Sequence, residues 1–339
     1  MSDMITDMVS RLFREHRGRP TEAPALDPGL WAAVEEMGIP LALVPEALGG
    51  IGLEAADACA ILRVAGAQAI AAPLADTMLA SLLLAQAGAD FLSGPLAVVT
   101  APSGTTGCAP GARFRAVAFG RAAAALVVVG DGWIETVPAP FAVEPGANIA
   151  GEPRDTLTTT AAASGRWALT VDPAVLRGLR AVLAAAQMAG AAQTALDLTV
   201  AYANERVQFG RPIGKFQAIQ HHIAVIASEA AAMGAAADMA AEAIPFAATD
   251  PDGFLAKAAA AKVRCGEAAG RIAGLAHQVH GAIGFTQEYE LHMFTRRLWS
   301  WRDEHGSEAG WSEILGERLF ARGAAALWQE ITRPTGEAA

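Results

Sequence analysis

The chain has 339 residues, a hydrophobic fraction of 53% and a net charge of −10. That length buries a sizeable core in one large domain or two to three small ones. The acidic balance argues against an extended polyanion-binding surface and against nucleic acid as a partner. Alanine supplies much of the apolar content, which favours close-packed helices.

Up to about residue 93 the periodicity is helical. Leu30, Trp31, Val34 and Met37 give one apolar stripe, and "GLEAADACAILRVAGAQ" and "LADTMLASLLLAQAG" give two more. Between them "VPEALGGIG" places a loop. The stretch "MSDMITDMVSRLFREHRG" mixes charges through its apolar positions and reads as having no secretory h-region. Composition shifts at Ser93-Gly94-Pro95. "PLAVVTA", "FRAVAFG", "AALVVVGDGWIETVPA" and "RWALTV" are short β-rich runs, with Asp131-Gly132 as a hairpin turn. Residues 94–171 therefore read as a small β-sandwich or open barrel.

Asp172-Pro173 is a capping residue followed by proline at the first helical position, a strong helix start. The remainder, 172–335, reads as a C-terminal four-helix bundle with breaks at 209–214, 245–253 and 281–286. Ile219, Ile223, Ile226, Ala230, Met233, Ala237 and Ala240 alternate spacings of four and three, a seam for antiparallel packing. "VLAAAQMAGAAQTALDL" is too alanine-rich and too short to span a bilayer, so no membrane partner is expected. Cys59, Cys108 and Cys265 are isolated and odd in number, which gives no disulfide framework and fits a reducing cytoplasm.

Two stretches carry chemistry. In "NERVQFGRPIGKFQAIQHH", residues 204–222, Arg206 ends a helix and Phe209-Gly210 and Pro212-Ile213-Gly214 form a tight turn that lets a ligand or backbone approach. A cation there also complements the helix dipole. An arginine fork suits a pyrophosphate, a phenyl ring a flat aromatic ring, and Gln217 the polar edge of a base. In "AHQVHGAIGFTQEYELHMFTRR", residues 276–297, Gly281 and Gly284 end one helix and open the next at about Thr286. His277 and His280 lack a third ligand at metal-binding spacing, so no metal is expected and they read as surface or cap residues. Trp299, Trp301 and Trp311 read as packing residues between subunits or against the β domain.

The order of elements and these motifs resemble the acyl-CoA dehydrogenase family over nearly the whole chain. "LWAAVEEMGIPLALVPEALGGIGLEAADACAIL" resembles its opening bundle with a Pro-Glu-x-x-Gly-Gly loop. "YANERVQFGRPIGKFQAIQHHIA" resembles its Arg-x-x-Phe-Gly segment, and "QVHGAIGFTQEYELHMFTRR" its Gln-x-x-Gly turn. The resemblance implies FAD held across a subunit interface, with Arg206 at the pyrophosphate, Phe209 near the flavin and Gln217 toward the adenine. It implies Gln278 and Gly281 at the FAD of a neighbouring subunit. It further implies a cytoplasmic oxidoreductase of lipid or steroid catabolism, acting on an acyl-CoA substrate and passing electrons to an electron-transfer flavoprotein. The expected assembly is a tetramer, either a homo-oligomer or a hetero-oligomer with a sister dehydrogenase subunit.

The catalytic base departs from the family pattern. A gapless reading from Gly284 puts His305 at one family position, with Glu304 one residue earlier; the other position holds Arg180. Three readings stay open: Glu304 is the base, His305 replaces it, or the base belongs to a sister subunit and this chain completes that partner's FAD site. The family's Thr/Ser-rich loop and flavin-facing tryptophan have only faint echoes in "VVTAPSGTTG" and in Trp133 or Trp167.

Overall fold

The computed structural model describes residues 2–323 together with 328 and 332. Most of 324–335, the expected end of the C-terminal bundle, lies outside the described residues. Four helices come first: α1 (Ser2–Glu15), α2 (Pro28–Glu36), α3 (Ala55–Ala67) and α4 (Leu74–Gln86). Seven strands follow: β1 (Leu96–Thr100), β2 (Arg113–Ala118), β3 (Ala125–Gly130), β4 (Trp133–Pro138), β5 (Phe141–Glu144), β6 (Arg154–Thr159) and β7 (Gly165–Ala168). The C-terminal part comprises α5 (Pro173–Glu205), a ribbon of β8 (Val207–Gln208) and β9 (Arg211–Pro212), α6 (Gln217–Ala241), α7 (Pro251–His280), α8 (Leu291–Asp303) and α9 (Glu308–Arg322). The architecture is mainly α with a small β-sandwich, as the residue patterns indicate.

One sheet has the order β1-β3-β4-β7, with β1 and β3 parallel; the other has the order β2-β6-β5. β3 reads as an unbroken apolar run because both its faces are covered. Val127 and Val129 face the helices, whereas Leu126 and Val128 enter the core between the sheets with Phe114, Val117 and Leu157. Asp131-Gly132 makes the β3–β4 hairpin as expected, with Gly130 opposite Trp133. β6, "RDTLTT", escaped the sequence reading because two of its three inward positions, Asp155 and Thr159, are polar. Asp155 sits there fully buried, held by the Arg121 backbone N–H at 2.8 Å and by its guanidinium.

The helical layers share a core rather than stacking as separate bundles. The largest cluster joins Phe13, Trp31, Leu62, Leu79, Val127, Leu183, Phe254 and Trp311, crossing the sequence boundaries at 93 and 171. Gly66 on α3 and Gly190 on α5 bring those helices into contact. A Cβ on Gly190 would stand 1.8 Å from the Arg63 carbonyl oxygen, and one on Gly66 2.0 Å from that of Gln187.

Asp172 caps α5 by accepting from the Ala174 N–H at 2.7 Å, with Pro173 next to it. The α6 seam is buried at Ile226, Ala230, Met233, Ala237 and Ala240, while Ile219 and Ile223 are half-buried. The segment Gln217–Phe246 is long and apolar enough to cross a membrane, with mean hydropathy 1.4, but α6 lies against α5 and α7 in the bundle. One boundary differs from expectation: α8 begins at Leu291, not near Thr286. Residues Gly281–Phe285 form a 3-10 turn, and a half-turn on, Thr286 bonds back to Ile283 through both its N–H and its hydroxyl.

Candidate active site

A cleft of about 870 Å³ opens where α4, the β-sandwich, α5 and the end of α8 meet. Ile70, Ala72, Val98, Leu183 and Ala184 give it apolar walls, and Asp76, Arg154, Arg180, Glu304 and His305 make one polar region. Local sequence places each group. Pro73 precedes α4, so Asp76 falls in its first turn. The Asp172-Pro173 start sets the phase of α5 that carries Arg180 into the cleft. Beyond α8, Glu304 is extended and His305 and Gly306 take φ of +61° and +112°, which turns the chain sharply.

That turn is held from outside. The fully buried Lys262 of α7 donates from Nζ to the carbonyls of Arg302 and of Gly306, the latter at 2.9 Å. The Trp311 indole N–H donates to the His305 carbonyl at 3.1 Å. Burial draws Lys262 down to about 8, against the pull of nearby acidic groups, so it remains an ammonium at neutral pH.

The structure thus gathers both family base positions into one cleft, yet their side chains are engaged otherwise. Arg154 grips Glu304 in a bidentate pair, Nε to Oε1 at 2.9 Å and Nη2 to Oε2 at 2.8 Å. Asn148 Nδ2 adds a third bond to Oε1 at 3.1 Å. Burial alone would lower Arg154, but its ion pair with Glu304, helped by Glu152 and Asp76, holds it above the ordinary arginine value. Behind it, buried Glu152 accepts from Arg297 Nε at 2.9 Å and Trp301 Nε1 at 3.0 Å. Burial pushes Glu152 up, and Arg297 and Arg154 more than reverse this, leaving a carboxylate. The group ties the β5–β6 segment to α8.

His305 is pushed well below 6.5 by burial and by Arg180, Lys262 and Arg154. It is neutral, and proton uptake beside three cations is unfavourable. Arg180 donates to the Val98 carbonyl, and its buried Nε has no acceptor among the described residues. Asp76 escaped the sequence reading because a first-turn aspartate ordinarily serves its helix dipole. Asn148, Arg154 and Lys262 carried no sequence signal, since their roles depend on partners far along the chain.

The predicted clamp stands out from the other end of α5. Arg206 is the exposed C-cap, and its side chain makes no hydrogen bond or ion pair among the described residues. Val207 pairs with Pro212 and Gln208 with Arg211 across the two-residue turn Phe209-Gly210, whose φ values are +52° and +78°. Positive φ at both positions matches a type I′ hairpin, and at phenylalanine it costs about 1–2 kcal/mol. The positive φ of Gly210 suits a glycine in this turn. The Phe209 ring is 92% exposed. Gln217 opens α6, also exposed.

Gln278 and Gly281 are exposed at the end of α7. Tyr202 of α5 stacks on His280 of α7 at 4.5 Å, so both predicted segments leave the same end of the bundle. His277 and His280 are buried, contrary to a surface position, while His280 keeps a cap role at the last turn of α7. His277 Nε2 meets the Thr295 hydroxyl at 2.9 Å and its ring lies between Phe285 and Trp299, while His280 Nδ1 meets the Ala276 carbonyl. Trp133 is buried in the sandwich with its indole N–H on the Thr105 carbonyl, so it does not line the cleft. Trp301 packs against the β-domain loop as expected, whereas Trp311 is buried against the helical core under Arg177.

Residues 175–320 match the family description "Acyl-CoA dehydrogenase, C-terminal domain". The acyl-CoA dehydrogenase IpdE2 of Mycolicibacterium smegmatis is 30% identical over 329 residues, covering 93% of this chain and 94% of that protein. The chain belongs to the acyl-CoA dehydrogenase family. IpdE2 of Mycobacterium tuberculosis is 31% identical over 321 residues, covering 90% and 91% of the two chains. Among solved structures, a steroid acyl-CoA dehydrogenase variant, Tcur3481-Tcur3483, superposes with a TM-score of 0.79 at 25% identity, covering 96% and 98%. The ChsE4-ChsE5 complex of M. tuberculosis shares the fold, with a TM-score of 0.76 at 22% identity over 94% and 97%. FAD is the cofactor of acyl-CoA dehydrogenases. An arginine with all its donors unspent beside an outward-held phenyl ring fits the pyrophosphate and ring system of that group.

Proposed function

We propose that this chain is a flavin-binding subunit that carries out α,β-dehydrogenation of an acyl-CoA thioester, with FAD shared between it and a second polypeptide. The carrying observation is the bundle end on which Arg206 is unpaired among the described residues and Val207, Phe209, Ile283 and Phe285 are 57%, 92%, 41% and 71% exposed. Apolar side chains held out in this way call for a covering partner. Arg206, Phe209 and Gln217 hold one FAD, and Gln278 with Gly281 contact that of the neighbouring subunit. FAD, when bound there, would supply the acceptor for the hydride equivalent leaving the substrate β-carbon. The chain's own part is to seat the thioester in the cleft, exclude water and remove the α-proton. Alanine at 72 and 184 leaves room for a bulky acyl group, and the steroid enzyme among the structural neighbours supports a steroid-derived thioester. The enzyme works in the cytoplasm as a tetramer and delivers electrons to an electron-transfer flavoprotein.

A second reading is favoured by the Glu304–Arg154 pair: the chain only completes a catalytic partner's FAD site. Visible flavin absorbance of the purified protein, alone and coexpressed with a sister subunit, tests the assignment. Arg206→Gln and Phe209→Ala alter exposed groups, so stability stays within about 0.5 kcal/mol while retained flavin falls at least about tenfold, the loss of roughly 1.4 kcal/mol of binding. Unchanged flavin content in both variants refutes the clamp.

A further inference from the structure

Among the described residues, Asp76, Glu152, Asp303 and Glu304 are the carboxylates that line the cleft. Three are committed elsewhere. Glu152 is taken up by Arg297, Trp301, Asn148 and Arg154. Glu304 has both oxygens on Arg154 and one also on Asn148. The Asp303 side chain is 69% exposed, beside Arg302 at 3.9 Å. Asp76 lines the cleft without a hydrogen bond or ion pair among the described residues, so its lone pairs are free for a ligand.

We propose that Asp76 is the catalytic base of this cleft, taking the α-proton of a bound acyl-CoA thioester. The inference rests on the dehydrogenation reading above. In the step the α-carbon C–H bond breaks and an O–H bond forms on an Asp76 carboxylate oxygen. The electron pair stays on the α-carbon and delocalises into the thioester carbonyl as an enolate, so charge and atoms balance without a redox partner.

The surroundings suit the role. Burial raises Asp76 above the ordinary aspartate value, Arg180 and Arg154 pull the other way, and Glu304 adds to the rise. A carboxylate lifted in this way is a stronger base toward a weakly acidic C–H. Arg180 supplies a cation in the same cleft, with its buried Nε still to be satisfied. A first-turn aspartate also suits its helix dipole, but that role makes no demand on substrate protons.

The test is exchange of the thioester α-protons in D2O, read by mass spectrometry, with octanoyl-CoA and 3-phenylpropanoyl-CoA as probes. It uses the purified protein with any subunit that copurifies. Exchange is expected in the wild type. Asp76→Asn slows it at least about 100-fold, with thioester affinity within about threefold, while Asp76→Glu keeps part of the rate. Loss of exchange in Glu304→Gln with exchange retained in Asp76→Asn overturns the proposal in favour of Glu304. Should Asp76→Asn fail to fold, Asp76→Ser in the same assay decides. Wild-type exchange rates in the Asp76 variants overturn the proposal alone. Neither exchange nor flavin reduction by the wild type with either probe overturns both it and the dehydrogenation reading.

Discussion

Replacing Lys262 by Met keeps the volume of the side chain and removes its charge. The loss of two charge-assisted bonds, to the carbonyls of Arg302 and Gly306, costs about 1.5–3 kcal/mol each. Against this stands the unfavourable burial of the ammonium, expressed in the fall from 10.5 to about 8. At roughly 1.4 kcal/mol per unit, that fall corresponds to about 3 kcal/mol. The net destabilisation of Lys262→Met at pH 7 is therefore small, about 0–3 kcal/mol.

The pH dependence is the sharper test. Below about pH 8 lysine is charged in both folded and unfolded chains, and the full cost of burial applies. Between about 8 and 10.5 the folded protein has released the proton while the unfolded chain keeps it, so wild-type stability rises with pH. The gap between wild type and Lys262→Met should widen by up to about 1.4 kcal/mol per pH unit across that window. Urea unfolding of both proteins at pH 7, 8, 9 and 10 measures it. A gap that stays flat with pH refutes the claim that the turn is held by a buried ammonium.

Two further outcomes follow from the same network. Glu152→Gln leaves the buried Arg297 without its countercharge, and thermal melts should show about 3–5 kcal/mol of destabilisation; a loss under about 1 kcal/mol would show that the pair is dispensable. Asp76→Asn should stabilise the protein at neutral pH, because a carboxyl with a raised folded pKa favours the fold when protonated and loses that contribution as pH rises. The stability difference should shrink as pH falls through the raised range of Asp76 down to the ordinary aspartate value, and equal stability at neutral pH would contradict the raised pKa.

What the sequence determined by itself lies in short-range chemistry. Asp172-Pro173 dictates a helix start because a carboxylate two residues from a free N–H caps it and proline lacks a donor to lose. Phe209-Gly210 dictates a turn, which the structure shows with φ of +52° and +78°, and the company of Arg206 and Gln217 marks it as the proposed cofactor clamp. The apolar run of β3 and the three–four spacing on α6 named buried residues in advance.

The cleft belonged to tertiary structure. Asp76, Arg154, Arg180 and Glu304 come from four elements, and no local pattern announces that they meet. Glu304 reads as a free base in sequence and becomes one arm of an ion pair only when β6 folds against the end of α8. Asp76 reads as a helix-start residue and becomes a candidate base once its neighbours leave it unpartnered. Charge pairing acts through space over a few ångströms, so which carboxylate is spent and which is free is decided by packing and not by order along the chain.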